Sequence, residues 1–231
     1  MRLYGIADLH LPFGADKPMD IFRGWENHAK RLQDNWNSVV TDEDTVVIPG
    51  DISWALSLEQ AKADFAFIHA LPGKKIISRG NHDYWFSTKT KTEKKLAEWG
   101  FDSISLLFNN CFAFGDYCIC GTRGWVNETG EPEDKKVLDR EAGRLRLSLE
   151  AGVKTGKEIM VFLHYPPIFG TSECYEILEV LHEYKVKTCY YGHLHGSSRR
   201  YAIGGVRDGV YYELISSDHL DFMPLQILPQ P

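Results

Sequence analysis

The feature of this sequence that most restricts its fold is a repeated alternation of short apolar segments with longer amphipathic ones. The apolar segments are predicted strands, namely Arg2–Ile6, Thr45–Ile48, Lys75–Ser78, Glu158–Leu163 and Lys187–Tyr191. The segments between them carry apolar residues at spacings of three and four, which predicts helices. Strands that alternate with helices in this way are joined by right-handed crossovers and form largely parallel sheets.

Four apolar stripes mark the predicted helices. The first two are Phe22, Trp25, Ala29, Leu32, Trp36 and Val39, and then Leu58, Ala61, Phe65 and Ile68. The later two are Leu138, Ala142, Leu145 and Leu149, and, more weakly, Ile177, Leu181 and Tyr184. Each stripe repeats with the period of an α-helix that covers one side of a sheet.

Two other segments predict antiparallel hairpins. One joins Phe112–Phe114 to Tyr117–Cys120 through the two-residue turn Gly115-Asp116, and the other has Asp208-Gly209 ahead of Val210–Ile215. We therefore predict an α/β fold with two stacked, mostly mixed β-sheets flanked by helices. Because 231 residues suit one domain better than two, we predict a single domain over residues 1–231.

The amino-acid composition excludes several classes of function. The 26 basic residues are outnumbered by 32 acidic ones, which disfavours a general nucleic-acid binder. No apolar run approaches the roughly 18 residues of a membrane span. The five cysteines are an odd number without a CxxC pair, which is typical of reduced thiols. We expect a cytoplasmic protein that acts on a small molecule, away from membranes and nucleic acids, and the sequence leaves its oligomeric state open.

Every predicted crossover strand is followed by side chains that bind metals. These are Asp8, His10, Asp51, Asn81, His164, His193 and His195. The carboxyl ends of parallel strands are where open α/β sheets place their sites. Imidazole, carboxylate and amide donors without thiolate suit divalent or trivalent Mn, Fe, Zn or Co. Since seven donors exceed one tetrahedral site, we expect two metal ions that share a carboxylate, as in two-metal hydrolysis.

The ordered series of these blocks resembles the calcineurin-like metallophosphoesterases. The family series Asp-x-His, Gly-Asp, Gly-Asn-His-Asp, His and Gly-His-x-His is found here as Asp8/His10, Gly50-Asp51, Gly80-Asn81-His82-Asp83, His164 and Gly192-His193-Leu194-His195. The resemblance extends over residues 8–195, and it is specific because all five blocks occur in order. It implies the family's double β-sandwich flanked by helices.

The resemblance also implies a role for each position. One ion would be held by Asp8, His10, Asp51 and His195, and the other by Asp51, Asn81, His164 and His193. Asp51 would bridge the ions, and a hydroxide between them would attack a phosphate mono- or diester. His82 would donate a proton to the leaving group, Asp83 would orient the His82 ring, and Arg79 would bind the phosphate.

Two departures bear on the substrate. After Gly50-Asp51 this chain continues Ile52-Ser53-Trp54, where the protein phosphatases of the superfamily have Gly-Asp-x-x-Asp-Arg-Gly, so a Ser/Thr protein phosphatase is disfavoured. The segment His164-Tyr165-Pro166-Pro167 is similar to the His-His-Pro-Pro of bacterial phosphodiesterases, but its second histidine is replaced by tyrosine. The substrate is therefore not assigned from the sequence.

Several alternatives remain open from the sequence. The fold could serve as a metal-binding adaptor without turnover. Arg79 could be a surface ion-pair residue, and Arg123 could either lie on the surface or reach a second phosphate. Four aromatic residues near the motifs could pack in the core or stack on a substrate, namely Trp54, Tyr84, Trp85 and Trp125.

Overall fold

A computed structural model describes residues 1–125 and 132–229, and for residues 132–134 only the backbone. The chain divides into two compact units, one formed by Met1–Leu106 with Ile215–Pro231 and the other by Leu107–Leu214. Along the described chain the strands are β1 (Leu3–Gly5), β2 (Thr45–Pro49), β3 (Lys74–Ser78), β4 (Ile104–Leu106), β5 (Phe112–Phe114), β6 (Tyr117–Thr122), β7 (Glu158–Leu163), β8 (Ile168–Phe169), β9 (Ser172–Glu173), β10 (Thr188–Tyr191), β11 (Gly205–Arg207), β12 (Val210–Leu214) and β13 (Leu225–Leu228). The helices are α1 (His28–Val39), α2 (Leu58–Ala70), α3 (Lys89–Trp99), α4 (Pro132–Val153) and α5 (Tyr175–Glu183), with a short 3₁₀ helix at Gly196–Tyr201.

The first unit is built on a five-stranded mixed sheet in the order β13-β1-β2-β3-β4. Strands β1 to β4 run parallel, and β13 pairs antiparallel with β1. Helix α2 begins after Ser57, whose hydroxyl accepts a hydrogen bond from Gln60 N. Helix α3 begins after Thr88, which caps Lys91 N in the same way. Strands β4 and β13 are short, and the sequence pattern did not predict them.

One helix boundary differs from the prediction. The apolar stripe starts at Phe22, but α1 begins only at His28, so Phe22 and Trp25 precede the helix. The backbone is left-handed at Gly24 (φ 90°) and Asn27 (φ 52°), which is incompatible with a continuous helix. Trp25 is nevertheless buried in the core, whereas Phe22 is exposed.

The second unit contains a six-stranded mixed sheet in the order β11-β12-β10-β7-β6-β5. Its central strands are parallel, while β5 and β11 pair antiparallel at the two edges as the predicted hairpins. Helix α4 buries Leu138, Leu145 and Leu149 in a core that includes Cys118 and Cys120.

Each unit thus combines a mixed sheet with helices, which confirms the predicted α/β class. The assignment of residues 1–231 to a single domain stays a prediction. Among the described residues, no helix combines the length and the apolar character needed to cross a membrane.

Asp64 on α2 fixes the loops that follow β1 and β2. Its side chain is fully buried and accepts hydrogen bonds from Phe13 N (2.8 Å) and from the Ser53 hydroxyl (2.5 Å). Burial raises the pKa of Asp64 to about 6, although these hydrogen bonds oppose the shift. The sequence signal for this residue is its position on the inward stripe of α2, between Ala61 and Phe65.

We predict that Asp64 makes stability fall as the pH rises from about 4 through 6. The folded-state pKa exceeds the ordinary value of 3.8, so the folded protein binds this proton more tightly than the unfolded chain does. The stabilisation that comes from protonated Asp64 is therefore present at low pH and lost as the pH rises through the folded-state pKa. Its size is on the order of 2 kcal/mol.

The measurement is urea unfolding of the wild type and Asp64→Asn at pH 4.5 and pH 7.5. Asparagine keeps an acceptor for Phe13 N and a partner for Ser53 but does not titrate. The variant should lose less free energy of unfolding between the two pH values than the wild type does. Equal losses in the two proteins would show that Asp64 does not carry the pH dependence.

Candidate metal centre

The ends of β1 and β2 bring three of the predicted ligands together in the first unit. The loops after these strands run side by side, since Asp8 N donates to Gly50 O (3.0 Å) and His10 N donates to Asp51 O (3.0 Å). Asp8, His10 and Asp51 each have a left-handed backbone, with φ of 61°, 47° and 50°. Residues other than glycine adopt this conformation at a cost, and such strain concentrates at functional sites.

The side chains of these three residues are buried and close to one another. A carboxylate oxygen of Asp8 and a ring nitrogen of His10 lie within 4.8 Å. His10 Nε2 is 3.9 Å from Asp51 Oδ2, while Asp51 Oδ1 accepts a hydrogen bond from His82 N at 2.8 Å. Asp51 therefore has one oxygen toward His10 and the other toward the loop after β3.

Gly80 allows the loop after β3 to approach Asp51 this closely. A Cβ atom built on Gly80 would lie 2.1 Å from Asp51 Oδ1 and 2.4 Å from Asp51 N. Only glycine fits such a contact without displacing the carboxylate. Asn81 and His82 follow directly, and both are half-buried.

Asp83 connects two loops of the first unit. Its carboxylate accepts hydrogen bonds from the backbone N–H groups of Ile52 (2.9 Å), Ser53 (3.2 Å) and Gly80 (2.7 Å) and from Trp85 Nε1 (2.7 Å). The orientation of the His82 ring by Asp83 stays a prediction. Asp83 ties the loop after β2 to the loop after β3, and burial, together with the charge of Asp51, raises its pKa to about 6.

The His82 ring is positioned by aromatic neighbours. Its centroid lies 4.6 Å from that of Trp54 and 5.8 Å from that of His10. Trp54 also stacks on His10 at 4.7 Å with an interplanar angle of 19°. Of the aromatic residues left open by the sequence, Trp54 and Trp85 thus pack within this unit, while Tyr84 is 60% exposed.

Arg79 lies at the carboxyl end of β3 with a half-buried side chain. Its guanidinium carbon is 5.4 Å from the centroid of the Phe86 ring. The predicted contact of Arg79 with phosphate stays a prediction.

In the second unit, His164 and His193 come together at the ends of β7 and β10. His164 is fully buried, and its backbone is held on both sides, since His164 N donates to Arg123 O (3.1 Å) and His164 O accepts from Gly192 N (3.1 Å). Ring nitrogens of His164 and His193 lie within 4.8 Å. His193 has a left-handed backbone (φ 72°), as Asp8, His10 and Asp51 do in the first unit.

His195 directly precedes the short 3₁₀ helix of the second unit. His195 N donates to the Ser198 hydroxyl at 3.0 Å, and this hydroxyl donates to His195 O at 2.7 Å. The backbone of His195 is thereby fixed, and its side chain is half-buried.

The donor types of both units fit a borderline metal ion. The first unit supplies the carboxylates of Asp8 and Asp51 with the imidazole of His10, and the second supplies the imidazoles of His164 and His193. Two donors of one ion each lie about 2.0–2.2 Å from it, so a separation within 4.8 Å is compatible with a shared ion after a small adjustment. Oxygen and nitrogen donors of this kind suit Mn, Fe, Zn or Co.

Sequence reasoning missed a buried acid that supports the second unit. Glu141 is fully buried and accepts hydrogen bonds from the Thr122 hydroxyl (2.9 Å), from Arg123 (3.3 Å) and from Arg144 (2.6 Å). It lies on the inward face of α4 between Leu138 and Leu145. An acid within an apolar stripe was the signal that could have identified it.

Comparison with known proteins identifies relatives of this chain. The family model described as calcineurin-like phosphoesterase matches residues 1–197. An uncharacterized protein of Methanocaldococcus jannaschii is 34% identical over 87 residues, which cover 36% of this chain and 47% of that protein. The match therefore spans about half the length of this relative.

Solved structures show the same fold at low sequence identity. A phosphopantetheinyl hydrolase from Mycobacterium tuberculosis aligns with a TM-score of 0.56 and 15% identity over 100% of this chain and 96% of that one. A protein of unknown function from Aquifex aeolicus aligns with a TM-score of 0.51 and 17% identity over 97% and 95% of the two chains. At these identities the likeness concerns the fold alone.

We predict that Gly80→Ala destabilises the protein by about 2 kcal/mol or more, because the added methyl group overlaps Asp51. Chemical denaturation measures the loss. The matched control is Gly143→Ala on α4, where an added Cβ meets nothing within 4 Å and alanine favours the helix. A Gly80→Ala variant as stable as the wild type would show that the loop after β3 is free to move away.

Proposed function

Since this chain belongs to the calcineurin-like phosphoesterase family, a family of metal-dependent phosphoester hydrolases, we propose that it hydrolyses phosphate mono- or diesters with two metal ions. The observation that carries the proposal is the buried group at the ends of β1 and β2. There a carboxylate and an imidazole lie within 4.8 Å, next to the second carboxylate, Asp51. Buried carboxylates are costly unless they are paired or bind metals.

The proposed ligands follow the family pattern. One ion would be bound by Asp8, His10, Asp51 and His195, and the other by Asp51, Asn81, His164 and His193. One carboxylate oxygen of Asp51 lies toward His10 and the other toward the loop after β3, which supports the choice of Asp51 as the shared ligand. When bound, the ions supply Lewis-acid charge and lower the pKa of water.

His82 is the proposed proton donor to the leaving-group oxygen. Its backbone N–H is anchored on Asp51, and its ring lies against Trp54, so the imidazole is held close to the proposed shared ligand. The side chain is half-buried and therefore reachable by a substrate. Arg79 is the proposed phosphate contact, since its planar fork matches phosphate oxygens.

The first test is metal-dependent turnover. Chelator-treated protein should hydrolyse p-nitrophenyl phosphate or its bis-ester only after Mn²⁺ is added. Asp51→Asn should lower the metal content and abolish this recovery, because it weakens a ligand of both ions, whereas the exposed Asp42→Asn should match the wild type. Wild-type protein that holds manganese but hydrolyses neither ester would favour the adaptor alternative, and an Asp51→Asn variant with full metal content would remove the shared-ligand role.

The second test concerns His82. His82→Ala should retain its metal while turnover falls about 10²–10⁴-fold, the range for a lost proton transfer. The loss should be larger with phenyl phosphate than with p-nitrophenyl phosphate, since p-nitrophenolate is a stable anion that departs without a proton. The exposed His182→Ala serves as the control. An equal loss with both esters would contradict proton donation, and loss of metal would make His82 a ligand.

A further inference from the structure

Arg123, which follows β6 in the second unit, is not a surface residue. Its side chain is only 10% exposed, and one Nη atom donates to the fully buried Glu141 at 3.3 Å. The surface alternative that the sequence left open for Arg123 is therefore excluded.

Among the residues that the structure describes, the charges around Arg123 do not balance. Glu141 is shared by Arg123 and Arg144, and the contact with Arg144 is shorter (2.6 Å). The cluster thus contains two guanidinium groups and one carboxylate, and it carries an excess positive charge in a mostly buried place. No other described carboxylate forms an ion pair with either arginine.

Arg123 also has unused hydrogen-bonding capacity. Its Nε atom is buried, and no described residue accepts a hydrogen bond from it. The guanidinium carbon lies 4.7 Å from the centroid of the Trp125 ring, which fixes the plane of the fork. A buried donor without an acceptor costs free energy, so its retention points to an anion that occupies the fork at some stage.

Arg123 is tied directly to a proposed metal ligand. Its carbonyl oxygen accepts from His164 N (3.1 Å) and from Tyr165 N (2.8 Å). The loop that carries His164 is therefore fixed relative to the backbone of Arg123.

We propose that Arg123 binds a second anionic group of the substrate, a phosphate or a carboxylate on the alcohol part of the phosphoester. This inference rests on the proposed hydrolysis. The preferred substrates are then phosphoesters with a second, distal anionic group. Arginine suits this task because its fork donates two parallel hydrogen bonds to oxyanions, which lysine does not.

The kinetic test uses alkyl phosphates that differ only at the far end of a four- or six-carbon chain. The ends are methyl, carboxylate and phosphate. With wild-type protein, an anionic end should lower KM about 10- to 100-fold, the range of a charge-assisted hydrogen-bonded contact. Comparison of the KM values of the carboxylate-ended and phosphate-ended substrates identifies which anion is bound. Because a bisphosphate has two equivalent ends, its twofold statistical advantage is removed before the comparison.

Arg123→Lys should remove this preference and leave the KM of the methyl-ended phosphates within about twofold, since it keeps the charge next to Glu141 but loses the fork. The matched control is Arg144→Lys, which changes the other partner of Glu141 and should keep the preference. A wild type that does not prefer anionic-ended over methyl-ended phosphates would overturn the proposal, and so would equal effects of the two variants on this preference. The wild-type result tests the proposal even if Arg123→Lys does not fold.

Binding without turnover separates this inference from the proposed function. Calorimetric titration of chelator-treated protein with butane-1,4-diol bisphosphate should show about 10-fold weaker binding to Arg123→Lys than to the wild type or Arg144→Lys. If the bisphosphate binds in this order but no ester is hydrolysed, the proposed function fails and the anion site stands. If hydrolysis occurs and Arg123→Lys binds the bisphosphate as the wild type does, the anion site is wrong and the proposed function stands.

Discussion

The candidate centre of the first unit depends on buried carboxylates that bind loop backbone. Asp83 accepts three backbone N–H groups and the Trp85 indole, and it thereby holds the loop after β2 against the loop after β3. Asp64 does the same for the segments at Phe13 and Ser53. Loops lack the ladder hydrogen bonds that order a strand, so without these acceptors the position of Asp51 would vary. The loops that carry the candidate ligands are thus fixed by other acids, Asp64 and Asp83.

The cost of this arrangement is visible in the backbone. Asp8, His10 and Asp51 occupy left-handed conformations that cost of order 1–3 kcal/mol each. Hydrogen bonds between the two loops, such as the one from His10 N to Asp51 O, would be lost in other backbone conformations, which therefore have a higher free energy. Such strain persists where the direction of a side chain matters more than local stability. In the second unit, the left-handed backbone of His193 follows the same rule.

The sequence identified the residues that are brought together as candidate ligands, and it was less informative about the residues that support them. The ends of β1, β2, β3, β7 and β10 are followed by the candidate ligands Asp8, Asp51, Asn81, His164 and His193, because the apolar runs stop there. The order of these blocks indicates the family. The loop contacts of Asp83 could not be predicted, since adjacency to His82 along the chain does not decide which donors a buried carboxylate meets. Glu141 was missed because a pattern of apolar spacing ignores an acid within the stripe, and the start of α1 was misplaced because periodicity continues past the left-handed turns at Gly24 and Asn27.

In the proposed function, the residues that would carry out hydrolysis differ from the residue that would select the substrate. The donors at the strand ends belong to a pattern that the family shares, and they would activate a phosphoester of any alcohol. Arg123 lies outside that pattern, on the loop after β6. Its carbonyl nevertheless accepts a hydrogen bond from His164 N, and its side chain donates to Glu141. If Arg123 binds a distal anion as proposed, a change at Glu141 would alter the charge that Arg123 offers to this anion. On the proposed role of Arg123, selectivity evolves under constraint, because one residue would bind the distal anion with its side chain and hold the backbone of His164 with its carbonyl.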